Sequence, residues 1–135
     1  MNYFYWDASA LAKRYVVEVG TPLVNYLSMK VPRSRMMCLH ICTGEVISIL
    51  VRQKNGGLLT NAVFAQAMSN FHAAVLNDVH FELVAIADYL ISSSHQFIEK
   101  YSLNATDVLI LRSVLEVVAR LRSARNDLVL IASNQ

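Results

Sequence analysis

A chain of 135 residues matches one domain by size, and its 55% hydrophobic content is enough material for a real core. With 16% charged residues and a mean hydropathy of +0.38, it is neither a disordered chain nor one with a heavily solvated surface. The net charge of +2 selects no class of partner, and it does not exclude nucleic acid, because a local patch outweighs a total. The apolar surplus has two readings of equal standing. A partner covers part of the surface, or a sheet buried on both faces uses the surplus internally.

In chain order, residues 2–6 read as a short aromatic strand. A helix is expected from Ser9 to Glu18, with Leu11, Ala12, Tyr15 and Val16 on the helical period. Gly20-Thr21-Pro22 ends it and starts a second helix with Leu23, Val24 and Leu27 as its stripe. After the turn at Val31–Ser34, Met36–Cys42 is a second strand candidate. Thr43 caps a helix to about Lys54, with Val46, Ile47, Leu50 and Val51 inward, and Asn55-Gly56-Gly57 stops it. A long helix runs from Thr60 or Asn61 to about Asn77. His80–Val84 is a third strand, followed by helical spacing from Ala85 to Lys100. Asn104 starts a further helix with Val108, Leu109, Leu111, Leu115, Val118 and Leu121 inward. Asp127–Ala132 is the last strand. Apolar strands separated by helices, in the order β-α-α-β-α-α-β-α-α-β, indicate an α/β fold with a parallel sheet of four strands covered on both faces.

No secretory leader is recognisable, because Asp7 interrupts the N-terminus, and no run approaches the ~18 apolar residues of a spanning helix. An intracellular, cytoplasmic protein with no membrane association is the expectation. Cys38, His40 and Cys42 give a Cys-x-His-x-Cys pattern. On a straight strand the two cysteines are about 13 Å apart at ~3.3 Å per residue, too far for both to reach one zinc at ~2.3 Å. Reduced core thiols are expected instead. The clusters Lys13-Arg14, Arg33-Arg35 and Arg120-Arg122-Arg125 each read as solvated helix ends and loops.

Three acids draw more attention. Asp7 sits at the exit of the first strand, where open α/β sheets place their ligands. Glu45 and Asp107 occur in comparable contexts. Singly, each has a structural explanation: Asp7 caps the first helix, Glu45 favours the dipole in a first turn, and Asp107 stands at N3 after Asn104. Jointly, all three follow strands or start helices, so a parallel sheet gathers them at one edge. Converging carboxylates do not all ionise cheaply without a cation among them.

The segment Asp7-Ala8-Ser9-Ala10-Leu11-Ala12-Lys13-Arg14-Tyr15, with Glu18 and Gly20, resembles the opening motif of PIN-domain proteins, especially the VapC-type toxins. Thr43-Gly44-Glu45-Val46 resembles the family's second-acid segment, and Asn104–Leu111 the third, in which Asp107 starts an apolar helix. Leu128–Asn134 is similar to the final strand and its exit turn. The resemblance implies a three-layer α/β/α sandwich whose central parallel sheet has four to five strands, and a ribonuclease dependent on Mg²⁺ or Mn²⁺. It implies an RNA substrate, a cognate antitoxin that blocks the site, and Asp7, Glu45 and Asp107 as catalytic and metal-binding acids. Ser9 becomes a supporting hydroxyl, and Lys13 and Arg14 candidate contacts to the RNA backbone.

The sequence departs from the family where a fourth acid is common after the last strand. Asn134 stands there, an amide that can coordinate a hard cation but brings no charge. The family also continues into a further short helix, so the expectation is a single PIN-like domain over 1–135 lacking it. These departures keep an alternative open: a degenerate PIN domain acting as a non-catalytic binding module. A metal-dependent phosphoesterase with another substrate is a third reading, since fold does not fix substrate. A homodimer is expected from the apolar surplus.

Overall fold

A computed structural model describes residues 1–133. Four strands, β1 (Asn2–Trp6), β2 (Met36–Leu39), β3 (Glu82–Val84) and β4 (Asp127–Ile131), form one sheet in the order β3-β2-β1-β4. Every pairing is parallel, with Trp6 opposite Cys38 on one side and Ile131 on the other. Six α-helices connect them: α1 (Ala8–Ala12), α2 (Thr21–Lys30), α3 (His40–Asn55), α4 (Asn61–Phe71), α5 (Asp88–Tyr101) and α6 (Ala105–Ser123). From β1 to β2 to β3 the chain steps in one direction, and from β3 to β4 it returns past both. Right-handed crossovers then put α1–α4 on one face and α5 and α6 on the other. This is the three-layer α/β/α arrangement that the alternation of elements predicts.

Side chains agree with that layering. Tyr5 and Trp6 are adjacent and point to opposite faces. The buried Tyr5 hydroxyl donates to Ser113 Oγ of α6 at 2.7 Å, whereas Trp6 lines a small cavity on the other face together with Leu11, Val75 and Phe81. Phe71 at the end of α4 is fully buried and meets the Tyr15 ring edge-on, with centroids 5.4 Å apart. Tyr5→Phe is expected to destabilise the fold by ~1–3 kcal/mol, because Ser113 is left buried without its partner. Urea unfolding checks this.

Several element boundaries differ from the sequence reading. The first helix does not run to Glu18. Its amides from Lys13 to Tyr15 bond three residues back, and the Thr21 hydroxyl lies 2.9 Å from the Lys13 carbonyl and 3.1 Å from that of Val16, ending the helix. Gly20 caps α2 at φ +96°, a left-handed conformation that glycine adopts without strain. The second strand ends at Leu39 rather than Cys42, and α3 starts at His40. Leu39 offers no capping side chain, so nothing in the sequence marks that start. Thr43 is inside the helix, its hydroxyl donating to the His40 carbonyl at 2.7 Å. The third strand is shorter than expected, and α5 starts at Asp88 rather than Ala85. Thr60 caps α4 by accepting from the Val63 amide, and the helix widens into a π-helical turn at His72–Leu76.

The face of α6 is also corrected. Val108, Ile110, Ser113, Val117 and Leu121 are buried, while Leu111 and Leu115 are 40% and 47% exposed. Both stripes are apolar, and the bond from Tyr5 to Ser113 fixes which one turns inward. Cys42 lies on α3, not on a strand, so the strand-spacing argument does not apply to it. Cys38 and Cys42 are free thiols with no exposure, and His40 faces solvent. Among the described residues, no helix is long and apolar enough to cross a membrane.

Candidate functional site

The sheet changes direction at β1, which neighbours β2 on one side and β4 on the other. Open α/β sheets bind ligands beyond the carboxyl ends of the strands at such a switch point. Asp7 is the first residue past the carboxyl end of β1, held there by its amide, which donates to the Ile131 carbonyl of β4 at 2.9 Å. It occupies the N-cap position of α1, yet its side chain makes no capping bond. Ser9 Oγ stands 3.1 Å from Asp7 Oδ2 and 3.2 Å from the Ser133 carbonyl.

Glu45 is delivered by α3. Because that helix starts at His40, Glu45 is its sixth residue, and no acid occupies the first turn. The dipole explanation offered by the sequence therefore loses its basis. Asp107 is the third residue of α6, whose N-cap Asn104 accepts from the Thr106 amide at 2.9 Å. That helix runs back to the start of β4, so its N-terminus lies at the carboxyl edge of the sheet. An acid in the first turn of α6 keeps its dipole explanation.

The three acids line one pocket of about 400 Å³, together with Ala8, Ser9, Ser48, Ile49 and Arg52. The carboxyl of Glu45 is held above its ordinary value, first by burial and then by the negative charges of Asp7 and Asp107. Beneath them, burial pushes the Cys42 thiol up to about 12, and Glu45, Asp7 and Asp107 add to the shift. Glu45 is thus close enough to Asp7 and Asp107 to feel both negative charges. Neither Glu45 nor Asp107 has a hydrogen bond or ion pair among the described residues.

No protein-family model matches the chain, and no curated protein matches it.

The donor set is all oxygen, the class that Mg²⁺ and Mn²⁺ take. A cation would relieve the repulsion felt at Glu45. The acids do not form a ready-made ligand shell: among the described residues, no three His, Cys, Asp or Glu side chains are grouped to hold a metal. Asn134, the candidate fourth ligand, lies outside the described residues.

Lys13 and Arg14, the candidate RNA contacts, do not line the acid pocket. Lys13 folds back along Gly20 and donates to the Val19 carbonyl at 2.5 Å. Arg14 lines a different cleft. The cation that lines the acid pocket is Arg52, which the sequence reading passed over. Its signal was helical spacing: Glu45, Ser48, Ile49 and Arg52 stand at i, i+3, i+4 and i+7 on α3 and share one face. Glu18, the expected last residue of the first helix, lies beyond it and accepts a hydrogen bond from the Gln53 side-chain amide of α3.

The raised carboxyl has a consequence for stability. Glu45 holds its proton more tightly in the folded chain than in the unfolded one. Stability therefore falls as pH rises from the ordinary carboxylate range through the raised value, and the full penalty applies at neutral pH. Glu45→Gln is expected to raise the melting temperature of the metal-free protein at neutral pH, with the gain disappearing in acid. Thermal melts across pH measure it.

Proposed function

We propose that this protein is a divalent-metal-dependent endoribonuclease of the VapC-toxin type within the PIN-domain family, hydrolysing RNA phosphodiester bonds. The observation that carries the reading is the shared pocket of Asp7, Glu45 and Asp107, with the carboxyl of Glu45 raised by the other two. On this reading the three acids hold Mg²⁺ or Mn²⁺ through rotated side chains and retained waters, as magnesium in particular prefers. The chemistry such a cation supplies is activation of a water and offset of charge on the attacked phosphate.

The chain's own residues do the positioning. Ser9, within hydrogen-bond distance of Asp7 Oδ2, fixes the carboxylate's orientation. Arg52 offers a positive charge at the rim for an RNA phosphate. A cognate antitoxin and a homodimer belong to the same reading. Leu23, Tyr26 and Met29 are exposed along α2, apolar surface of the kind that partners cover.

A second reading, a non-catalytic binding module, is favoured by the lack of a grouped ligand shell among the described residues. The experiment that tests the first is incubation with single-stranded RNA in Mg²⁺ or Mn²⁺ and in chelator. Cation-dependent internal cleavage is expected. An intact substrate in the presence of folded protein and either cation favours the binding module.

A further inference from the structure

A second cleft shares no lining residue with the acid pocket. Its outer chamber, about 280 Å³, is lined by Arg14, Tyr15, Arg33, Asn70, Ala73 and Ala74. Arg14, Tyr15, Arg33 and Ala74 also border an inner chamber of about 20 Å³, whose walls include Trp6 and Ser28. We propose that this cleft is a phosphate-binding site, in which Arg14 and Arg33 clamp the anion and the Trp6 indole N–H donates at its inner end.

Four observations support it. First, Arg14 and Arg33 converge. Both line the outer and the inner chamber beside Tyr15, and both lower its hydroxyl, which burial on balance raises to about 12. Second, no carboxylate lines either chamber. Arg33 donates to Asp78 from one nitrogen at 2.5 Å, and Arg14 has a long contact of 3.4 Å to Asn25 Oδ1. A guanidinium has five donors, so each keeps several for an oxyanion, which it grips in a fork.

Third, Trp6 is 1% exposed, and its Nε1 is the one buried side-chain nitrogen or oxygen without a hydrogen-bond partner among the described residues. Buried donors are normally satisfied. The inner chamber has room for one oxygen atom, the acceptor this indole lacks. Fourth, Ala73 and Ala74 come from the π-helical turn at His72–Leu76, and such turns recur at functional sites. The rival occupant of the inner chamber is a single water, which satisfies the indole without any response to anions.

Trp6 is the sole tryptophan, so its fluorescence reports directly on the cleft. The full chain is titrated with inorganic phosphate and, separately, with adenosine monophosphate, against sodium chloride at matched ionic strength. A saturable emission change is expected, at least about tenfold weaker in Arg14→Met and Arg33→Met and retained in Glu45→Gln. A tighter response to the nucleotide assigns the site to a nucleotide phosphate, and an equal one assigns it to free phosphate. The proposal is overturned if neither probe gives a saturable change beyond the chloride control. It is also overturned if both arginine variants respond as tightly as the wild type.

Discussion

Asp7→Ala is expected to reduce the proposed metal-dependent RNA cleavage by at least about a thousandfold, since losing one of the proposed metal acids removes several kcal/mol of transition-state stabilisation. The fold should survive the change. The Asp7 backbone, not its side chain, makes the bonds that hold the site: its amide reaches the Ile131 carbonyl, and its own carbonyl accepts from Leu11. Its carboxylate caps no helix amide and, among the described residues, accepts only from Ser9. A circular dichroism melt beside the RNA assay separates lost chemistry from lost structure. Full cleavage in a folded Asp7→Ala variant would remove the acid pocket from the mechanism.

The largest effect on stability is expected from Phe71→Ala. Phe71 is fully buried where α4 meets the π-helical turn, and its ring packs against Tyr15 from the segment after α1. Removing it deletes a large apolar side chain and leaves a cavity beside the Tyr15 ring. The expected cost is ~3–5 kcal/mol, a large part of the ~5–15 kcal/mol that a domain of this size has in all. Urea denaturation of the variant measures it as a lower midpoint. A loss below about 1 kcal/mol would mean that neighbouring side chains collapse into the gap.

The sequence made the layer architecture readable because its strands are continuous apolar runs separated by helix-length segments, a pattern that a parallel sheet alone satisfies economically. Asp7 was readable for the same reason: an acid directly after Tyr3–Trp6 has to emerge at a strand end. Glu45 was singled out with a mistaken local cause. The start of α3 carries no cap residue, so the sequence suggested Thr43 where the chain turns helical at His40. The end of α1 depends on Thr21, a residue eight positions beyond Lys13, and short-range periodicity does not carry that information. Rotation of α6 was hidden because Leu111 and Leu115 are as apolar as Val117 and Leu121, and only the buried Tyr5 hydroxyl distinguishes the two faces. Arg52 is hidden for a related reason: its place beside Asp7 depends on how α3 packs, because the face of that helix that bears Glu45 brings Arg52 to the acids.

The proposed function requires that Asp7, Glu45 and Asp107 share a cation. Calorimetric titration of Mn²⁺ into the wild-type chain, Asp7→Asn, Glu45→Gln and Asp107→Asn tests it most directly. A saturable heat in the wild type that weakens at least about tenfold in each variant is the predicted result. No binding in the wild type, or binding equally tight in all four proteins, would contradict it.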